Sequence, residues 1–221
     1  MLYRIICLAI GYLFGNFQTA YILGKIKGID IRDFGSGNAG TTNAMRVLGT
    51  KAGLIVFLGD CFKCFFALLL VSALFGKSRP DLVYVLKSWA FMGCVLGHDF
   101  PFFMGFKGGK GVAVMGGFAL GYHWTFLPAA LLLFAVPYAL TSYVSLGSLM
   151  LYGGTFLQMI IEGQMGVFKE TSQAGLIEMY VIQGIMTFMA FYRHRANIER
   201  LLSGTERKTY IFKKNKEQLD L

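Results

Sequence analysis

Between Lys110 and Glu162 the chain carries no formally charged residue. A helix of a soluble domain needs a polar face toward water, and this stretch has none to offer over its length. Further apolar runs flank it. Leu2 to Gly24 is broken only by Arg4, Ala52 to Gly76 only by Asp60 and Lys63, Leu82 to Gly97 only by Lys87, and Leu176 to Tyr192 only by Glu178. About 17 to 25 apolar residues span the hydrocarbon core of a bilayer, so each run reads as membrane helix. Composition agrees: 15% of residues are charged, where soluble domains carry about 25%. The expectation is an all-α, polytopic integral membrane protein, with residues 1–221 forming a single transmembrane domain.

The uncharged run must be divided. Polar residues gather near Tyr122-His123 and again near Thr141 to Ser145, which breaks it into three short spans and gives about seven helices in all; one long helix from Gly111 to Leu140 would leave six. With seven, Lys25, Lys27, Arg32, Arg46, Lys51, Lys107, Lys110 and the basic tail share one face, while Arg4, Lys77, Arg79 and Lys169 share the other. Cytoplasmic loops collect Lys and Arg, so the N-terminus is expected outside and the C-terminus in the cytoplasm. The first run is too long, and too poor in N-terminal charge, for a cleaved signal peptide.

Three segments on the basic face carry the chemistry. The first, residues 35–49, reads GSGNAGTTNAMRVLG. Its opening satisfies G-x-G-x-x-G, but a dinucleotide fold needs a strand before the loop and an acid ending the next strand. The acid at the right distance, Asp60, lies inside an apolar helix, so the dinucleotide reading fails. What survives is a simpler anion cradle: glycines admit close backbone approach, and Ser36, Asn38, Thr42 and Asn43 add donors around Gly40. Arg46 shares the face of Asn43 if a helix begins near Ala39. The second segment, residues 97–113, places Lys107 and Lys110 around Gly108-Gly109, with His98 at the membrane boundary. It is not a Walker A loop, because Gly111 rather than Ser or Thr follows Lys110. The third, residues 193–206, would set Arg193, His194, Asn197 and Arg200 along one side of a helix leaving the membrane. Acids are few on this face, so the pattern suits a phosphorylated substrate whose lipid chain lies in the hydrocarbon beneath.

In order and spacing these segments resemble those of the bacterial acyl-phosphate:glycerol-3-phosphate acyltransferases, over nearly the whole chain. GSGNAGTTNAMRVLG is similar to the family's GSGNPGATNxxRxxG, with Ala39 for the usual Pro and Thr41 for the usual Ala. GHDFPFFMGFKGGKGVA and RHRANIERLLSGTE match closely, and Asp60 with Lys63 resembles the family's D-x-x-K-G, Cys64 standing for the glycine. The resemblance implies transfer of a fatty acyl group from acyl phosphate to the 1-hydroxyl of sn-glycerol 3-phosphate, giving lysophosphatidate and phosphate. It implies a multi-pass enzyme of the bacterial cytoplasmic membrane that receives its donor from an acyl-phosphate-producing enzyme. Membrane lipid is the expected surrounding partner. No nucleic acid, cofactor or metal is expected. Two phosphorylated substrates need convergent cations, so Arg46, Lys107 and Lys110 are the leading phosphate contacts, with Ser36 and the Gly108-Gly109 backbone beside them. His194 and Asn197 would orient glycerol 3-phosphate, with Ser145 a further candidate.

An absence shapes the expected mechanism. The better-known glycerolipid acyltransferases use H-x-x-x-x-D, but His98, His123 and His194 are followed at that distance by Phe103, Pro128 and Glu199. An acyl phosphate is already activated, and its leaving phosphate can take the hydroxyl proton, so no nucleophile is assigned and positioning with electrostatic stabilisation suffices. Cys61-x-x-Cys64 lies within a membrane helix without a second pair, which argues for packing rather than metal or redox work. Gly11/Gly15, Gly93/Gly97 and Gly117/Gly121 have the spacing of close helix packing. A transporter would place its site near the midplane between repeated halves, and no repeat is present. A CDP-alcohol phosphotransferase would need an aspartate cluster that no cytoplasmic loop supplies.

Overall fold

The computed structural model describes residues 1–211, 215 and 217–219. Among the described residues ten α-helices follow in order: α1 (Leu2–Gly15), α2 (Thr19–Ile26), α3 (Thr41–Leu48), α4 (Thr50–Phe75), α5 (Val83–Asp99), α6 (Val112–Gly121), α7 (Phe126–Thr141), α8 (Val144–Gln164), α9 (Gln173–Arg193) and α10 (Arg195–Leu202). No strand occurs among the described residues. Four segments are long and apolar enough to cross a membrane: Leu2–Ile26, Thr50–Phe75, Val144–Gln164 and Gln173–Arg193. α6 and α7 are shorter apolar helices, and α5 adds a largely buried one. The uncharged run parts where its polar residues gather, at Gly121 to Phe126 and Thr141 to Val144. Large apolar side chains point outward along the bundle, among them Leu54, Phe66, Leu74, Leu132, Leu157 and Phe188. Such a surface belongs in hydrocarbon. The protein is an all-α integral membrane protein.

The first span is broken. α1 stops at Gly15, and α2 starts four residues later. A break inside a bilayer leaves carbonyls that must find donors within the protein. The Gln18 amide donates to the Gly15, Gly97 and His98 carbonyls (3.1–3.2 Å), and the Lys63 ammonium donates to the Phe17 carbonyl at 2.7 Å. Lys87 does similar work elsewhere. Instead of reaching for water, its ammonium donates to the Gly121 and Tyr122 carbonyls, both at 2.9 Å, and so caps α6. A cation at a helix C-terminus meets the negative end of the dipole.

α1 lies along α5 at backbone contact, and glycines make this possible. A Cβ on Gly11 would collide with the Ala90 carbonyl, one on Gly15 with that of Cys94, one on Gly93 with that of Leu8 and one on Gly97 with that of Tyr12. Each helix thus offers its own glycines to the other's carbonyls. Gly117 meets the Cys61 carbonyl of α4 in the same way. Away from these seams, Phe91, Phe118, Tyr122 and Phe126 fill the core at ring separations of 4.4–5.5 Å.

Overpacking a seam made of backbone cannot be relieved by a rotamer change. Gly93→Leu should therefore destabilise the bundle by about 3 kcal/mol or more. Gly153→Ala, where an added Cβ meets nothing within 4 Å, should be neutral. Thermal unfolding of the two variants in detergent checks the contrast; equal melting would contradict the packing account.

Candidate active site

The three polar segments converge on a cavity of about 1160 Å³. Its rim holds Ser36, Asn38, Gly40, Thr42, Asn43 and Arg46 from the first segment, His98, Lys107, Gly108 and Lys110 from the second, and Arg193, His194 and Asn197 from the third, with Ser145 from α8. Gly109 is the one expected site residue that does not line it. Beyond the rim the cavity continues between α4, α6 and α7 along an apolar wall that includes Phe57, Cys61, Gly116, Leu120, Leu131 and Phe134. Cys61 is thus more than helix packing, since it forms part of this wall.

The first segment folds around Asn43. Its amide oxygen accepts from the Ser36 N–H (2.8 Å) and hydroxyl (3.1 Å), and its amide nitrogen donates to the Ile31 and Phe34 carbonyls (3.0 Å each). Asn43 is spent on the loop, leaving little for a ligand. The N–H groups of Gly37 and Gly40 are spent too, on Phe34 and Asn38. The open donors lie one step further on. Helical bonding in α3 begins with Ala44 donating to Gly40, so the N–H groups of Thr41, Thr42 and Asn43 are left over at a helix N-terminus, where anions are favoured. The helix starts at Thr41, two residues later than the sequence suggests, because Gly40 takes the extended N-cap conformation.

The second segment turns back on α5. The Gly108 and Gly109 N–H groups donate to the Asp99 and His98 carbonyls, both at 3.0 Å. Their expected part in an anion cradle is therefore unavailable to these N–H groups. What the glycines permit is contact: a Cβ on Gly108 would strike the His98 carbonyl, and one on Gly109 the imidazole of His98. The Lys107 ammonium makes no hydrogen bond or ion pair among the described residues and projects as an open cation. Lys110 donates to the Asn197 amide oxygen at 2.6 Å. Burial, with Arg193 and Arg200 nearby, pulls the Lys110 ammonium down to about 8.

The third segment is not one continuous helix. The chain breaks at His194, which ends α9 and begins α10. Arg193, on the last turn of α9, donates to the Gly109 carbonyl at 2.6 Å and lies over the Phe100 ring at 5.3 Å. It clamps the glycine loop from behind. His194 Nδ1 donates to the Ala190 carbonyl at 2.7 Å, so Nε2 carries the lone pair on the cavity side of the ring. Burial, and then the Lys110 ammonium, hold this imidazole down at about 4; it is neutral and weakly basic.

Glu206 organises what remains. It accepts from Ser145 Oγ (3.0 Å), Asn197 Nδ2 (2.8 Å) and Arg200 Nε (2.8 Å). Beyond it the tail crosses the cavity mouth. Arg46 donates to Thr209 Oγ1 (2.6 Å) and the Arg207 carbonyl (3.2 Å), Tyr138 to the Thr209 carbonyl (3.0 Å) and Thr50 to the Ile211 carbonyl (2.8 Å). Glu206 shows in the sequence only as one of two acids, with Glu199, among the bases of this segment; Thr209 carries no such signal. No cluster of metal-ligating side chains occurs among the described residues.

A membrane bundle whose cavity joins a cationic rim to an apolar wall is built to hold an anionic headgroup and an alkyl chain together. The comparisons with known proteins sharpen that class. Residues 5–204 match the family model described as glycerol-3-phosphate acyltransferase. The chain is 41% identical to a glycerol-3-phosphate acyltransferase of Clostridioides difficile (strain 630), over 92% of this chain and 94% of that one. It is 37% identical to one of Chlorobaculum tepidum, over 97% and 100%. The fold is similar to the crystal structure of PlsY (YgiH), an integral membrane glycerol 3-phosphate acyltransferase, in its glycerol 3-phosphate form, with a TM-score of 0.79 at 31% identity, over 94% of this chain and 96% of that one. The chain belongs to the glycerol-3-phosphate acyltransferase family.

The Lys110 ammonium gives a pH signature. It loses its proton as pH rises through about 8, and a charge-assisted hydrogen bond is worth about 1.5–3 kcal/mol. Binding of glycerol 3-phosphate should therefore weaken by about tenfold between pH 7.5 and 9.5. Lys110→Arg keeps its charge throughout and should flatten the profile. Calorimetric titration at both ends of the range checks it; parallel slopes for the two proteins would rule Lys110 out.

Proposed function

We propose that this membrane glycerol-3-phosphate acyltransferase uses acyl phosphate as its donor, transferring the acyl group to the 1-hydroxyl of sn-glycerol 3-phosphate. The observation that carries the reading is the continuity of the cavity: a rim with several cations opens directly onto an apolar wall between α4, α6 and α7. Such a site accommodates two phosphates and one acyl chain. Arg46, Lys107 and Lys110 hold the phosphates, with the N-terminus of α3, Ser36, Asn38, Gly40 and Thr42 beside them. Asn43 and Arg193 act one step back, shaping the two loops. Ser145 and Asn197, tied to Glu206, orient the acceptor.

The reaction follows from these placements. The 1-hydroxyl oxygen attacks the acyl carbonyl carbon, the bond from that carbon to the phosphate oxygen breaks, and inorganic phosphate leaves with the hydroxyl proton. His194 Nε2 accepts a hydrogen bond from the 1-hydroxyl, which turns a lone pair of that hydroxyl oxygen toward the acyl carbon. At about 4 the imidazole is too weak a base to hold the proton near neutral pH, whereas the departing phosphate oxygen takes it and leaves as the hydrogen phosphate dianion. No residue acts as nucleophile. We place the enzyme in the bacterial cytoplasmic membrane with seven spans, its N-terminus outside and its site and C-terminus in the cytoplasm. There an acyl-phosphate-producing enzyme can hand its product over.

The direct test supplies purified protein with palmitoyl phosphate and labelled glycerol 3-phosphate. Labelled lysophosphatidate and stoichiometric phosphate are expected, with no product from palmitoyl-CoA in phosphate-free buffer; equal turnover of the thioester would refute the donor assignment. Arg46→Ala and Lys107→Ala should each cost about tenfold to a hundredfold in kcat/KM. Arg46→Lys should also be impaired, since an ammonium cannot reproduce the guanidinium's parallel donors. Lys169→Ala, remote from the cavity, serves as the control. Normal turnover by the Arg46 and Lys107 variants would displace the site.

A further inference from the structure

Three buried side chains from α4 and α5 form a cluster that phosphate binding by the rim does not explain. The Lys63 ammonium donates to Asp60 Oδ1 at 2.8 Å and to the Phe17 carbonyl at 2.7 Å, and its third neighbour is His98 Nδ1 at 2.9 Å. Thr19 Oγ1 also donates to Asp60 Oδ1, at 3.2 Å. All three residues are at least nine-tenths buried: Lys63 is 5% exposed, His98 3% and Asp60 1%.

The donor count settles the imidazole. An ammonium has three N–H groups and no acceptor. Two go to the carbonyl and the carboxylate, and the third meets His98 Nδ1. That nitrogen must therefore accept, which places the ring proton on Nε2. A protonated imidazolium would set an N–H against an ammonium N–H in a dry environment, a like-charge contact that Asp60, with Oδ1 3.8 Å from His98 Nδ1 and already bonded to Lys63, is placed to serve only once. The Nε2 edge of the ring lies against Gly109, at the turn where Lys107 and Lys110 project. Nε2 has no hydrogen-bond partner among the described residues, and the ring lines the cavity.

We propose that Asp60 and Lys63 are positioning residues that lock His98 as the Nε2–H tautomer, so that its ring donates to a substrate phosphate seated at the glycine-lysine turn. The inference rests on the reading of this cavity as a phosphate site. It makes the two histidines complementary. His194 is fixed by the Ala190 carbonyl with its proton on Nδ1 and an accepting Nε2. His98 is fixed by Lys63 with an accepting Nδ1 and a donating Nε2. One serves the hydroxyl and the other the phosphate, and neither needs to change protonation state in turnover. The aspartate orients the ammonium, and the ammonium keeps the tautomer.

Ring-15N histidine spectra of the intact protein in detergent micelles test this directly, with the three histidines assigned by single His→Gln variants. The wild type should show His98 with a bare Nδ1 and a protonated Nε2, and His194 with the reverse. Inorganic phosphate should move the His98 Nε2 resonance. In Lys63→Met the His98 tautomer should change or become mixed while His194 keeps its own, and kcat/KM for glycerol 3-phosphate should fall about tenfold or more. Lys63→Arg, which still donates, should restore the tautomer and part of the activity. A wild-type His98 protonated on Nδ1, or a His98 Nε2 resonance indifferent to phosphate, would overturn the proposal without any Lys63 variant having to fold. So would a folded Lys63→Met protein with the wild-type tautomer. Absent acyl transfer by the wild type with these spectra intact would instead defeat the reading of the reaction.

Discussion

The close approach of α1 and α5 sets the position of everything on the polar face. Because Gly11, Gly15, Gly93 and Gly97 leave backbone against backbone, the break after Gly15 falls beside the C-terminal end of α5. Gln18 can then reach the Gly97 and His98 carbonyls, and the Tyr12 hydroxyl reaches the Phe100 carbonyl at 3.0 Å. A bilayer provides no hydrophobic force between helices, so van der Waals fit and interior hydrogen bonds must do this work. The glycine-lysine turn inherits its placement from that fit: its own N–H groups are bonded to the last carbonyls of α5. A shift of α1 would be felt at His98 before it reached any ligand.

The electrostatics of the cavity are those of a site prepared for anions. Six cations, Arg46, Lys107, Lys110, Arg193, Arg200 and Arg207, line it with the acids Asp60 and Glu206. Gathering like charges in a partly buried place is unfavourable until an anion arrives, and the depressed Lys110 ammonium records that cost. Glu206 offsets part of it by fixing Ser145, Asn197 and Arg200 at once, while the tail occupies Arg46 through the Thr209 hydroxyl and the Arg207 carbonyl rather than a carboxylate. A neutral partner satisfies the guanidinium's donors without cancelling its charge.

Much of this was legible in the sequence because the relevant signals are local. Apolar run length gave the membrane helices, the polar gaps at Tyr122 and Thr141 gave the division of the uncharged run, and the glycine pairs gave the seams. Gathering of the three segments at one cavity was legible from charge sidedness alone. What escaped were the partnerships. Nothing in GSGNAG says that Asn43 is consumed by the loop it was expected to share with a ligand. Nothing in FKGGKG says that the glycine N–H groups turn toward α5. The bend at His194 was hidden because RHRANIER has good helical propensity throughout; the Ala190 carbonyl and the packing of Arg193 on Phe100 override it. The cap that Lys87 puts on α6 escaped as well, since its partners are carbonyls on another helix and carbonyls leave no mark on a sequence.

The shortness of α6 changes the shape of the membrane the protein requires. Ten residues rise about 15 Å, half of a hydrocarbon core about 30 Å thick. The turn of Lys107 to Gly111 at one end and the Lys87-capped carbonyls at the other therefore cannot both lie at the level of ordinary headgroups. One of the two ends must sit below that level, beside α4, whose 26 residues run the full depth. An amphiphile in the surrounding leaflet can then meet the cations by sideways diffusion, keeping its tail in oil throughout. Glycerol 3-phosphate, wholly water-soluble, descends to it from above. The two reactants never have to share a solvent, only a depth.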